Sequence, residues 1–185
     1  MKLKSLEPRR VWAIALSRLF YPLRFRHFGP RALLERPLLL ANTKYISIGE
    51  RTTIRSGVRL EVVCETGEVP ELRIGSRCLI EQNVQIIARR KVVIGSDVSI
   101  AGHCAIVDVT HPYDIEGPRN IGYRIHQGTD EVIIGDGCFI GFGAVILPGV
   151  TLGPGCVVGA NSVVSRSFGP RSVVAGSPAK IIKTY

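Results

Sequence analysis

Aliphatic residues recur every six positions along most of this chain: Ile48, Ile54, Leu60; Ile74, Ile80, Ile86; Ile94, Ile100, Ile106; then Ile134, Ile140, Ile146, Leu152, Val158 and Val164. A helix repeats its apolar face at three and four, and an isolated strand at two. A period of six fits neither. It fits short strands joined by tight turns in a parallel β-solenoid, where each aliphatic side chain stacks on the one a coil below. Three sides of six residues make one triangular coil of eighteen. Extra residues fall only between triplets: eight after Leu60, two after Ile86 and twenty-two after Ile106. Every insertion therefore leaves the prism at one corner. The expected fold class is all-β, a prism of about five triangular coils.

The cysteines keep the same register. Cys64, Cys78, Cys104, Cys138 and Cys156 each lie four residues after a repeat aliphatic, where other coils carry Val58, Val84, Val98, Ala144, Val150 or Ser162. That is a slot for small, mostly apolar side chains beside the prism axis. The count is odd and there is no C-x-x-C pair, so packing is expected rather than zinc or disulfides.

A solenoid needs its ends covered. Residues 1–44 read as a basic, partly helical arm and cap interrupted by Pro22 and Pro30. Residues 45–176 read as the β-helix with an inserted loop at 107–133, and residues 177–185 as a short tail folding back. The net charge of +9 sits mostly on the arm: residues 1–40 hold nine Lys/Arg against Glu7 and Glu35. The body is nearly balanced, which argues against a broad nucleic-acid-binding face. No apolar run reaches the roughly 18 residues of a membrane span, so a cytoplasmic protein is expected. In the arm, cations alternate with bulky apolar residues, Trp12 and Phe20 among them. Part of these should cap the prism, and the sharper expectation is a peripheral contact with an anionic membrane.

The repeat, the run "VIIGDGCFIGFGAVILPGVTLGPGCVVGANSVVSRS" and the closing "VVAGSPAKIIK" resemble the hexapeptide-repeat acyltransferases. Among these the chain is most similar to O-acetyltransferases of sugars and surface polysaccharides. The resemblance implies a left-handed parallel β-helix, a homotrimer with active sites between adjacent prisms, acetyl-coenzyme A as co-substrate with no metal required, and a sugar or glycan acceptor. It also implies a loop histidine acting as general base, and "THPYD" puts His111 in that place. The chemistry agrees: a sugar hydroxyl is a poor nucleophile at neutral pH, and a neutral imidazole can take its proton during attack on a thioester.

Other residues follow from the same resemblance. Asn83 matches an asparagine that helps hold the acceptor, although a plain turn asparagine reads equally well. Asp108 and Asp114 are candidates to orient the imidazole, with a backbone carbonyl as the alternative. Gly141 and Phe142 would offer backbone N–H groups to an oxyanion. Ala160 and Ser165 would contact coenzyme A, and Arg166, Lys180 and Lys183 would meet its phosphates, the alternative being solvated surface cations. Phe139 stands where the family usually has tryptophan, and Phe142 where a smaller residue is common. His27, His103 and His126 are expected to be structural or solvated. Other readings include an amine acceptor on a nucleotide sugar, a serine-type acetyltransferase and a non-enzymatic scaffold. A γ-type carbonic anhydrase would need His103, His111 and His126 to converge on zinc.

Overall fold

The computed structural model describes residues 8–64, 69–113, 120–123 and 130–185. Among these the prism has six complete coils rather than five. The first is β1 (His27–Phe28), β2 (Leu33–Leu34) and β3 (Leu39–Ala41), and the second β4 (Ile46–Ile48), β5 (Thr53–Ile54) and β6 (Arg59–Val62). The third is β7 (Glu71–Ile74), β8 (Leu79–Ile80) and β9 (Gln85–Ala88), and the fourth β10 (Lys91–Ile94), β11 (Ser99–Ile100) and β12 (Ala105–Val107). The fifth is β13 (Val132–Ile134), β14 (Phe139–Ile140) and β15 (Val145–Ile146), and the sixth β16 (Thr151–Leu152), β17 (Val157–Val158) and β18 (Val163–Val164). Each strand pairs in parallel with its counterparts one coil away, giving three faces, I to III, in the order of the strands within a coil.

Register follows the repeat. Ile54 stands opposite Ile80, Ile100 opposite Ile140, and Ile140 opposite Val158. None of the fifteen repeat aliphatics is more than 1% exposed. The insertions all leave between face III and face I, at the turns after β6, β9 and β12, as the spacing requires.

The first coil lies inside the segment expected to be only a cap. Its core residues Phe28, Leu34 and Leu40 are six apart, but Pro30 and Pro37 interrupt the stretch and read as breakers. In the fold Pro30 sits in a turn, where its carbonyl accepts from Arg51 N–H at 3.1 Å. The helical cap is α1 (Pro8–Leu19) followed by the single turn α2 (Tyr21–Arg24). Ala13, Ser17, Tyr21 and Phe25 recur every four residues and are buried, Tyr21 and Phe25 in one cluster with Phe28 and Ala32. Tyr21, Phe25 and Phe28 pack ring to ring at 5.4–5.6 Å between centroids, and burial pushes the Tyr21 phenol up from its ordinary pKa. Ser17 Oγ accepts from Leu34 N–H at 3.0 Å, satisfying a strand donor on the open end of the prism.

At the other end β19 (Ser172–Gly176) stacks on β17, and β20 (Ala179–Thr184) turns back antiparallel against it. Among the described residues no helix is long and apolar enough to cross a membrane.

Four cysteines occupy the small slot as expected, and the geometry adds a reason for sulfur. Cys78, Cys104, Cys138 and Cys156 donate S–H to the carbonyls of Gly95, Gly141, Gly153 and Gly169 at 3.0–3.3 Å, each in the next coil. Thr52 does the same to Gly75 at 2.7 Å. Burial pushes the Cys138 thiol up to about 11, so it is an inert packing group. Cys64 departs from the expectation: it is exposed, because an insertion leaves the prism at that point and removes the next wall of the slot.

Candidate active site

Two corners of the prism carry the candidate residues. Between faces II and III one turn position repeats up the stack as Gly57, Asn83, His103, Gly143 and Asn161, each with φ between 55° and 78°. Glycine and asparagine tolerate that left-handed conformation, and His103 is the one residue of this row that is neither. Asn83 Nδ2 lies 3.2 Å from His103 Nε2. The Phe142 ring, from the next coil, packs on His103 at 5.1 Å between centroids. Asn83, His103 and Phe142 thus form a connected surface group.

His103 was expected to be merely structural or solvated. It is exposed and contacts the amide of the asparagine expected to meet the acceptor. Its left-handed turn position could have pointed there, since all four of the other residues in that row are Gly or Asn.

The long insertion leaves the next corner, between faces III and I, and both of its ends are pinned. At the start, the buried Asp108 carboxylate accepts from the backbone N–H groups of Arg89, Arg90 and Lys91, the last two at 2.8 and 2.6 Å. At the end, Glu131 lies 3.4 Å from both Arg90 and Lys91. The short turn below therefore clamps both strands of the loop root. Burial pushes the Asp108 carboxyl up, against the pull of its three N–H donors.

Asp108 was expected to contact the acceptor or orient the imidazole, and the structure gives it a separate task. Both of its oxygens serve the turn at 89–91, and its residue is 3% exposed. It positions the loop root. Asp114 and His126 lie outside the described residues. His111, three residues beyond the anchor, is exposed, while the following Pro112 is buried.

The expected oxyanion donors also resolve. Gly141 N–H already donates to Val158 O at 2.8 Å, so it is not available. The close approach explains the glycine, since a Cβ there would lie 2.6 Å from Ala160 N. Phe142 N–H remains the candidate. Exposed Ala160 lies one coil higher at the same corner, while exposed Ser165 and Arg166 follow β18 at the corner from which the long loop leaves. Arg166 packs its guanidinium 5.3 Å from the centre of the Phe168 ring. Lys180 and Lys183 project from β20, paired with Ala175 and Val173. Three cations thus stand exposed at the C-terminal end, suited to phosphate groups. Among the described residues no His, Cys, Asp or Glu cluster is placed to hold a metal.

Comparison with known proteins agrees with this architecture. The bacterial transferase hexapeptide (six repeats) family profile matches residues 131–166. A protein of Escherichia coli (strain K12) named as a lipopolysaccharide biosynthesis O-acetyl transferase, WbbJ, is 32% identical over 182 residues, covering 96% of this chain and 87% of that one. The chain belongs to the hexapeptide-repeat acetyltransferases. A Dictyostelium discoideum relative named as an acetyltransferase is 48% identical over 92 residues, 50% of this chain and 46% of that protein. The chain thus spans about half the length of that first curated relative. Two solved structures share the left-handed prism of this hexapeptide-repeat acetyltransferase. One is a mutant of the Bacillus cereus N-acyltransferase AntD with dTDP and coenzyme A, with TM-score 0.76, 22% identity, and 92% of this chain and 87% of that one covered. The other is a Vibrio cholerae hexapeptide-repeat acetyltransferase with acetyl-coenzyme A, with TM-score 0.58, 24% identity, and 98% and 90% covered.

Proposed function

We propose that this acetyltransferase moves an acetyl group from acetyl-coenzyme A to a hydroxyl of a sugar or surface-polysaccharide intermediate, with His111 as general base. The observation that carries this reading is the exposed His111 on a loop whose root is clamped at both ends by Asp108 and Glu131. In the reaction, the imidazole takes the acceptor proton as the oxygen bonds to the thioester carbon. The Phe142 N–H meets the developing oxyanion. Collapse breaks the C–S bond, and the sulfur of coenzyme A leaves with the proton.

The partition of residues between two corners supports a homotrimer. Asn83, His103 and Phe142 belong to one corner, while the His111 loop and Arg166 belong to the next. Six extended residues separate His103 from Val109, roughly 20 Å at about 3.3 Å each. A cyclic assembly would bring one corner of each prism against the other corner of its neighbour. Resemblance over nearly the whole chain to a protein named for O-acetyl transfer favours a hydroxyl acceptor over an amine.

The deciding assay is acetyl-coenzyme A turnover against neutral sugars, glycans and amino-sugar nucleotides, with products treated with hydroxylamine. An acetyl ester is cleaved and an acetamide is not. Only hydroxylamine-stable products would replace this reading by N-transfer.

Asn83 and His103 should act on acceptor binding. Asn83→Gly keeps the left-handed turn and removes the amide, so it should raise acceptor KM about five- to tenfold, the worth of one hydrogen bond of about 1–1.5 kcal/mol. His103→Gly should give a smaller rise in the same direction, with kcat little changed in both. A changed melting temperature with unchanged KM would make Asn83 a turn residue only.

A further inference from the structure

The cap has two apolar stripes, and only one is used by the fold. Ala13, Ser17, Tyr21 and Phe25 face the prism. Trp12, Leu16, Leu19 and Leu23, spaced four, three and four apart, face outward and are 71%, 39%, 75% and 83% exposed. Phe20 flanks this stripe and carries the Arg24 guanidinium 5.3 Å from its ring centre. Beside it lies an open hollow of about 460 Å³ whose rim includes Arg24 and Lys44.

Charge surrounds the stripe with one sign. Arg18, Arg24, Arg26, Arg31, Arg36 and Lys44 are all exposed, and none makes an ion pair among the described residues. The sole acid between residues 8 and 44, Glu35, lies 3.6 Å from Arg55. A second copy of this face would set these cations against their own images, which is repulsive. The surface that offers both a depth for leucine and tryptophan and a plane of negative charge is an anionic bilayer.

We propose that the outer face of α1 and α2 docks the base of the prism on an anionic lipid bilayer. Leu19 and Leu23 enter the acyl boundary, Trp12 rests at headgroup depth, and the cations meet lipid phosphates. Coils rise about 4.8 Å each, so Asn83 and His103, in the third and fourth coils, stand roughly 10–15 Å above the first coil, with the cap helices, about 10 Å thick, between that coil and the membrane. Lys180, Lys183 and Arg166 lie at the far end, open to soluble coenzyme A. This geometry suits an acceptor glycan carried on a membrane lipid, a consequence that rests on the proposed glycan acetylation; the docking does not.

Trp12 is the only tryptophan in the chain, so its emission reports this face alone. The intact protein is mixed with phosphatidylcholine vesicles with and without phosphatidylglycerol, at low and high salt, and emission is read alongside co-sedimentation. The expected result is a blue shift and pelleting only with phosphatidylglycerol at low salt. Arg18→Glu/Arg24→Glu should weaken binding at least tenfold, since each cation contributes roughly fivefold. Leu19→Ser/Leu23→Ser, at sites exposed in the fold, should remove the blue shift.

No shift with anionic vesicles overturns the proposal. So does a shift that grows with protein concentration without vesicles, which would assign the face to a second copy. Binding equal in wild type and both variants would also overturn it. Loss of docking would leave transfer to soluble sugars intact, and failure of the acyl-transfer reading would leave the Trp12 shift intact.

Discussion

Replacing His111 with Ala should lower kcat by about 10²–10⁴-fold, the usual worth of a general base, with KM for acetyl-coenzyme A nearly unchanged. Release of the coenzyme A thiol, followed as initial rate over both substrates, measures it. The side chain is exposed on a corner insertion and lies outside the buried repeat, so its loss should leave the unfolding free energy within about 0.5 kcal/mol of wild type. The expected deficit is therefore catalytic. The loop root supports this, because Asp108 and Glu131 fix both ends of the insertion on the turn at 89–91. Wild-type turnover in the Ala variant would end the proposed mechanism. An equal fall in kcat and in stability would make His111 a loop strut.

The prism was legible because its physics is periodic. A buried aliphatic every six residues is required on each face, and that regularity shows through any local irregularity. The first coil was hidden because Phe28 and two prolines replace the repeat's usual residues at the point where the helices join. There the aromatic cluster of Tyr21, Phe25 and Phe28 takes over the packing.

The site was legible in part. His111 stood out because it interrupts a strict rhythm. The role of Asp108 could not be read, since a carboxylate three residues from a histidine is as consistent with orienting it as with binding the chain a coil below. His103 was passed over because its significance lies in a contact across coils to Asn83 and Phe142, and the linear repeat does not display the ladder of left-handed turns that aligns them.

The largest stability effect should come from a glycine of ordinary backbone conformation. On the corner between faces I and II, Gly29, Gly49, Gly75, Gly95, Gly135 and Gly153 each follow a core residue of face I. A Cβ on Gly75 would lie 2.5 Å from the carbonyl carbon and oxygen of Gly95 and 2.6 Å from Ser96 N, all backbone atoms of the next coil. The neighbouring coils cannot simply part, because Gly49 N–H and Gly75 N–H are each held at 2.8 Å by the carbonyls of Ile74 and Ile94. Relief would require breaking those bonds along with the stacking of Ile74 on Ile94. Gly75→Ala should therefore cost more than about 4 kcal/mol, the range reserved for severe core disruption, and lower the denaturant midpoint accordingly. Gly137→Ala is the control with the opposite cause: its φ is +66° but a Cβ there meets nothing within 4 Å. It should cost about 1 kcal/mol, the penalty of a left-handed side-chain-bearing residue. The equivalent position on the next corner holds Glu35, Arg55, Glu81 and Ala101 in the first four coils and Gly141 and Gly159 in the last two, with Arg55 3.6 Å from Glu35 and 3.9 Å from Glu81. Side chains are accommodated there in the first four coils, so a glycine in every coil is a requirement of the first corner's turn and not of the six-residue period. A Gly75 variant no less stable than the Gly137 variant would show that the coils can yield at that corner.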